Sequence, residues 1–283
     1  MREFTATLIV LIGLASLSFI SVIASAGTGE RSAYSNAESE CFRLSQIEDY
    51  SHAYTACRRA AQDGSPAAQA IIGVMYISGL GVAQDSLEAS RWLRASAEQG
   101  NASSQYLLAS MYFNGDGVAQ DHAEARRWYR IAAEQGSVLG QYNLATMYYN
   151  GSGGLQDYSE ARRWFRLAAE QGVAQAQYSL ATMYYNGSGG LQDYSEARRW
   201  FRLAAEQGVA QAQFNLGAMY YNGAGVAQNF VFAHAWLNIS SANGSERAAG
   251  FRDQIAQQMT AEQIAEAQEL ARRCMATNYV ECE

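Results

Sequence analysis

The stretch VAQAQYSLATMYYNGSGGLQDYSEARRWFRLAAEQG, residues 173–208, reads as two helices joined by a glycine-rich turn. In its first half Ala176, Leu180, Met183 and Tyr184 fall at i, i+4, i+7 and i+8, which is one face of a helix. Asn186 and Gly187 stop that helix, because glycine just past a helix end tolerates a left-handed backbone. Ser188, Gly189 and Gly190 make the turn. Asp193 is placed to cap a second helix, with Glu196 three residues on in capping-box spacing. Ala197, Trp200, Phe201 and Ala204 form its apolar stripe, and Gly208 ends it.

The unit repeats along the chain. The five tryptophans are Trp92, Trp128, Trp164, Trp200 and Trp236, each 36 residues from the next. Glu-Gln-Gly recurs at 98–100, 134–136, 170–172 and 206–208, and residues 144–177 and 180–213 are identical letter for letter. The D-x-x-E helix start appears at Asp85, Asp121 and Asp157, while Asn229 with Phe232 departs from it. Ser65 followed by Pro66 opens the first unit with a cap and a first-turn proline. A period of this size marks a solenoid, in which each unit buries its apolar face only against its neighbours. No run alternates as a strand would, so the expected fold is all-α, a solenoid of antiparallel helix pairs.

The unit A-x-A-Q-Y-x-L-x-x-M-Y-x-N-G-x-G-x-x-Q-D-x-x-x-A-x-x-W-x-x-x-A-A-E-Q-G resembles the Sel-one-like repeat (SLR), a relative of the tetratricopeptide repeat. Five units carry the resemblance, at 65–100, 101–136, 137–172, 173–208 and 209–244. The chain departs from the family pattern with Ala83, Leu155 and Ala227, where the turn often carries proline. The resemblance implies a right-handed superhelix serving as a protein-interaction scaffold without catalysis of its own. Some exported relatives inhibit sensor-kinase ectodomains, which makes control of an envelope signalling protein one form of that role. Cysteine-rich secreted relatives have been linked to penicillin binding and β-lactam hydrolysis, so a cell-wall-directed or β-lactam-binding protein is the alternative. Those relatives carry cysteines in each repeat; here the five units carry none, and there is no S-x-x-K.

Both flanks read as caps. Asp49-Tyr50-Ser51-His52 echoes Asp157-Tyr158-Ser159-Glu160, so residues 49–64 form a second helix with Ala56 at the tryptophan position, and 27–64 an N-terminal pair. Residues 245–259 and 260–277 read as two further helices in a C-terminal cap of 245–283, the latter opened by Thr260 with Gln263. Ahead of all this, a charge-free apolar run from Thr5 to Ile23 ends in Ala24-Ser25-Ala26, a small-x-small cleavage site. Residues 1–26 are therefore expected to be a signal peptide, leaving no stable membrane span after cleavage. With no Cys at the expected cut, a lipoprotein is not the reading. The leader and high arginine usage point to the periplasm of a Gram-negative bacterium or to secretion.

Composition narrows function. Hydrophobic content of 49% supports a sizeable core, and one proline in 283 residues suits uninterrupted helices. All 20 basic residues are arginine, which excludes chemistry that requires a lysine. A net charge of -7 argues against a nucleic-acid partner, whose phosphates need a basic face. Export makes Cys41, Cys57, Cys274 and Cys282 candidate disulfides. Four cysteines allow three pairings; proximity favours 41–57 with 274–282. None has C-x-x-C spacing, so they read as structural rather than redox or zinc sites.

No catalytic constellation, cofactor or metal site stands out, and the chain reads as a non-enzyme. The tryptophans sit on the buried stripe and read as core. The arginines of the second helices lie three or four positions from a Glu and read as a solvated, ion-paired face. His52, His122 and His234 occupy different unit positions and are expected at the surface. What remains is the first-helix face opposite the core stripe. It carries Asn143, Thr146 and Tyr149, then Ser179, Thr182 and Tyr185, then Asn215, Ala218 and Tyr221. Upstream it carries Leu107, Ser110 and Phe113, and before them Ile71, Val74 and Ile77. By analogy with related superhelices this face lines the concave side. Phe113, Tyr149, Tyr185 and Tyr221 would then form an aromatic ladder for a protein or extended peptide of the cell envelope. The competing reading packs these rings on the next unit's helix. The oligomeric state stays open.

Overall fold

The computed structural model describes residues 36–279 and Cys282, and the expected signal peptide lies outside the described residues. Fourteen α-helices and no strands occur among the described residues. In chain order they are α1 (Asn36–Gln46), α2 (Tyr50–Gln62), α3 (Pro66–Ser78), α4 (Ser86–Glu98), α5 (Ala102–Asn114), α6 (His122–Glu134) and α7 (Val138–Asn150). There follow α8 (Tyr158–Glu170), α9 (Ala174–Asn186), α10 (Tyr194–Glu206), α11 (Ala210–Asn222), α12 (Phe230–Ala242), α13 (Glu246–Ala256) and α14 (Ala261–Ala276). The chain divides into two compact units. The first runs to Gly140 and takes in Ser152–Gly154; the second comprises Gln141–Gly151 and everything from Leu155 on.

In the first unit α1 packs on α2, α3 on α4 and α5 on α6, and each pair also packs on the next. Cys41 and Cys57 form a disulfide that ties α1 to α2, both sulfurs fully buried. Ser65 accepts the Ala68 N–H at the start of α3, with Pro66 in the first turn as its missing N–H allows. The core is built of alanines against Ile71, Ile72, Met75 and Leu93. Small residues on one helix and branched ones on its neighbour let the axes approach closely.

The second unit repeats the scheme. Asp157 and Asp193 each accept two backbone N–H groups at the starts of α8 and α10. The Glu three residues on does not reach back to the cap, as the capping-box spacing implied. Glu160 and Glu196 instead accept the indole N–H of Trp164 and Trp200 at 3.0 Å, satisfying a polar tip on an otherwise buried ring. Gly187 ends α9 with φ 72°. Two residues later Gly189 lies so close to the start of α8 that a Cβ there would stand 2.2 Å from the Tyr158 carbonyl oxygen. The glycine-rich turn is therefore a close-packed contact between consecutive helix pairs, not slack chain.

The end of the array is built differently. Aligned with α10, α12 replaces Glu196, Arg198, Arg199, Arg202 and Glu206 with Phe232, His234, Ala235, Asn238 and Ala242. That strips charge from the outer face, and α13 and α14 both pack on α12, as expected of a helix apolar on every side. Thr260 and Gln263 complete a capping box at the start of α14. A second disulfide joins Cys274 to Cys282, and the Tyr279 hydroxyl meets the Asn243 side chain beyond α12. His234, expected at the surface, is buried here because these cap helices cover it.

Candidate interaction surface

The first-helix face is described separately in each unit. In the first, Ile71 and Val74 are buried and belong to the core, while Ile77 and Phe113 are half-buried. The Phe113 ring lies 4.8 Å from the imidazole of His122, and the Ser110 and Tyr129 hydroxyls share a hydrogen bond of 2.8 Å.

In the second unit, Asn143, Thr146 and Tyr149 on α7, Ser179, Thr182 and Tyr185 on α9, and Asn215, Ala218 and Tyr221 on α11 are all half-buried. The Tyr149 ring meets Tyr158 edge-on at 5.2 Å, Tyr185 meets Tyr194 at 5.1 Å, and Tyr221 stacks on Phe230 at 5.6 Å. Each ring therefore leans on the first residue of the second helix in its own repeat. Thr146 and Thr182 donate to the carbonyls of Tyr142 and Tyr178 four residues back, which turns their hydroxyls into the helix. The side chains of Asn143, Ser179 and Asn215, and the hydroxyls of Tyr149 and Tyr185, make no hydrogen bond among the described residues. The three helices carry no charged side chain.

Charge is concentrated on the second helices, with the Arg247 guanidinium of α13 lying over the Phe214 ring of α11 at 5.4 Å. Glu160 pairs with Arg163 and Glu196 with Arg199 at i,i+3, and Arg202 pairs with Glu206 at i,i+4, all partly exposed contacts of modest worth. Arg162 was not legible as more than a surface charge. Its guanidinium stacks on the Tyr184 ring at 3.8 Å and donates to the Leu191 carbonyl at 3.4 Å, clamping the glycine-rich turn of the next repeat.

Sequence reasoning also passed over a buried glutamine in each first helix. Gln177 donates to the Ala169 carbonyl at the end of α8 and accepts from Gln207 after α10. Gln69, Gln105 and Gln213 do the same in their own repeats. The signal was present: glutamine recurring every 36 residues on an apolar helix needs a partner at every recurrence.

Two surface crevices lie beside a glycine-rich turn and the C-terminal cap. In the first unit, Leu87, Arg94, Tyr112 and Val118 line one of about 730 Å³. In the second, Phe230, Phe232, Leu270 and Arg273 line one of about 610 Å³ where α14 crosses the start of α12. Among the described residues no three His, Cys, Asp or Glu side chains gather as metal ligands, and no helix is long and apolar enough to cross a membrane.

Paired helices stacked in sequence, with charged second helices and uncharged, aromatic and amide-bearing first helices in the second unit, define an all-α repeat protein of the scaffold class. Residues 66–101, 102–137, 138–173, 174–209 and 210–245 each match the Sel1 repeat. The chain belongs to the Sel1 repeat family, whose members are generally non-catalytic scaffolds for protein interaction. Among solved structures, a Sel1 repeat protein from Oxalobacter formigenes is 31% identical, over 76% of this chain and 85% of that one, with a TM-score of 0.68. The protective antigen c5321 of uropathogenic Escherichia coli strains, which displays an SLR fold, is 25% identical over 87% of this chain and 85% of that one, with a TM-score of 0.41. No curated protein matches the chain.

Proposed function

We propose that the chain is an exported scaffold without catalytic activity, binding a protein or extended peptide of the bacterial cell envelope on its first-helix face. The observation that carries the reading is the pairing of half-buried tyrosine rings with Asn or Ser side chains that lack a partner, at one register in three successive repeats, the tyrosine hydroxyl also lacking one at Tyr149 and Tyr185. Such groups have lost part of their hydration without gaining a partner, so a ligand that supplies hydrogen bonds gains more there than on open surface. Tyrosine adds apolar area and a polar tip at low entropy cost. Two disulfides, one at each end of the described residues, support an oxidising compartment and hence removal of residues 1–26. Control of an envelope signalling protein is one form this role takes.

The test is cross-linking capture from envelope extract, comparing the mature chain with Tyr149→Ala/Tyr185→Ala/Tyr221→Ala. A partner captured by the parent and lost from the variant, with helicity unchanged by circular dichroism, is the expected result. A partner retained by the variant moves the site to the arginine face or the caps. Lost helicity assigns the three rings to the core.

A further inference from the structure

We infer that the crevice where α14 crosses the start of α12 binds a short apolar peptide with both ends free, its ammonium met by Glu266 and its carboxylate by Arg273. The site is distinct from the first-helix face and arises from a change of sequence at the end of the array. α8 and α10 open with Tyr-Ser-Glu, whereas α12 opens with Phe230-Val231-Phe232. Three apolar side chains in one first turn need cover, and α14 supplies it in part. Leu270 of α14 is buried against them, while Phe230, Val231 and Phe232 stay half-buried along a crevice of about 610 Å³. That volume is in the range of small-molecule sites, about 300–1,000 Å³. The walls are held from behind, Phe230 by the Tyr221 ring at 5.6 Å and Phe232 by the Tyr220 ring at 5.2 Å. The shape therefore exists before a ligand arrives, which lowers the cost of binding.

Two features mark a ligand site rather than a gap in packing. The first is the indole of Trp236, which is 1% exposed and whose N–H has no hydrogen-bond partner. In α8 and α10 the same group donates to a Glu four residues back; in α12 that position is Phe232, a wall of the crevice. A buried donor left without an acceptor costs free energy. A peptide carbonyl seated at Phe232 supplies the acceptor that Glu160 and Glu196 supply in the earlier repeats. The second feature is the charge on the rim. Glu266 and Arg273 both line the crevice, and neither makes an ion pair among the described residues, α14 pairing Arg272 with Glu269 instead. Seven residues of helix set them about 10 Å apart, the length of about three extended residues at roughly 3.3 Å each. An uncharged apolar ligand leaves both rim groups partly desolvated and unpaired, and a fatty acid or an amine answers only one of them. A free-ended apolar tripeptide answers both and fills the apolar wall between them.

The probe is Leu-Leu-Leu, titrated to about 5 mM into the full mature chain and read by NMR on the Trp236 indole N–H resonance. N-acetylated Leu-Leu-Leu, C-amidated Leu-Leu-Leu and octanoate complete the set. The free peptide is expected to shift the Trp236 resonance and leave those of the other four tryptophans in place. Blocking either end is expected to weaken binding about fivefold, the scale of one partly exposed ion pair. Glu266→Gln removes the penalty for acetylation alone, and Arg273→Gln the penalty for amidation alone. Both side chains are exposed, so neither substitution threatens the fold. No shift, equal binding of the blocked peptides, or octanoate binding as tightly as the free peptide overturns the inference. Penalties that survive in the two charge variants overturn it as well, since the peptide ends are then met elsewhere.

Discussion

The guanidinium of Arg162 fills the space that a side chain at Gly190 would claim: a Cβ at 190 would stand 2.2 Å from its Nη1. Two repeats earlier the same two positions hold Ser90 and Val118, a smaller residue on the helix and a larger one on the turn. Ser90 instead hydrogen-bonds the Leu87 carbonyl at 2.8 Å. One sequence thus contains both solutions to the same contact. Gly190→Val is expected to cost about 1–2 kcal/mol by expelling the guanidinium from Tyr184 and the Leu191 carbonyl. Adding Arg162→Ser should recover part of that loss, and urea denaturation of the four chains measures the coupling. Strictly additive losses would show that the two residues do not share the space.

His234 makes stability fall with acid. Burial holds its imidazole below the ordinary histidine pKa, with Arg252 acting in the same direction and Asp253 opposing, and its Nδ1 has no partner. A folded-state pKa below the unfolded value of about 6.5 means the unfolded chain takes up the proton first. The contribution is complete above that unfolded value and is lost as pH falls through the folded one. Chemical denaturation between about pH 7.5 and 5 is expected to give a steeper loss for the parent than for His234→Gln. Equal slopes would mean that the ring is protonated in the folded cap.

Cys41–Cys57 closes a sequence separation of 16 residues. In the chain-entropy model a loop of that size is worth about 3 kcal/mol, a large share of what one short helix pair gains by packing on an array. Reduction with dithiothreitol, or Cys41→Ala/Cys57→Ala, is expected to release α1. Hydrogen exchange should show protection lost over residues 36–46 while the Sel1 repeats keep theirs. Unchanged protection at α1 would place its stability in Leu44 and its other apolar contacts instead.

The repeats were legible because 36-residue periodicity exposes each position five times, so caps, stops and stripe residues announce themselves. Thr260 with Gln263, Ser65 with Pro66 and the closing glycines behave as their local chemistry dictates. The misreadings have two causes: competition between partners within one helix, and cover supplied by another element. The Glu196 carboxylate had two local uses, and the indole of Trp200 outcompetes the cap N–H. His234 read as surface because no recurring or ligand-forming pattern of histidines set it apart. The clue was the loss of every charge from α12, which announces a covering helix before α14 is seen. For the candidate face, residue identity and register were readable, but ring direction was not. Tyr149 could have leaned on the next repeat, and its contact with Tyr158 depends on how the glycine-rich turn aims the second helix.

Gln175 and Gln177, two residues apart in Ala-Gln-Ala-Gln, have opposite fates. Gln175 is exposed, whereas Gln177 is buried and bridges the end of α8 to the residue after α10. Its carboxamide N–H joins the Gly172 N–H at the Ala169 carbonyl, and its oxygen takes the Gln207 N–H. Gln177→Leu keeps the volume but removes both bonds, at a cost of about 1–2 kcal/mol, since the Ala169 carbonyl keeps the Gly172 N–H and the Gln207 amide keeps the Gly172 carbonyl. Gln175→Leu should stay within about 0.5 kcal/mol, since it changes only open surface. Residues 144–177 and 180–213 are identical, so Gln213→Leu, which frees Asn243 in place of Gln207, is expected to match the larger loss. Guanidinium denaturation of the three variants checks the ranking. A Gln177→Leu chain as stable as the Gln175→Leu chain would show that apolar packing, not the glutamine bridge, joins consecutive repeats.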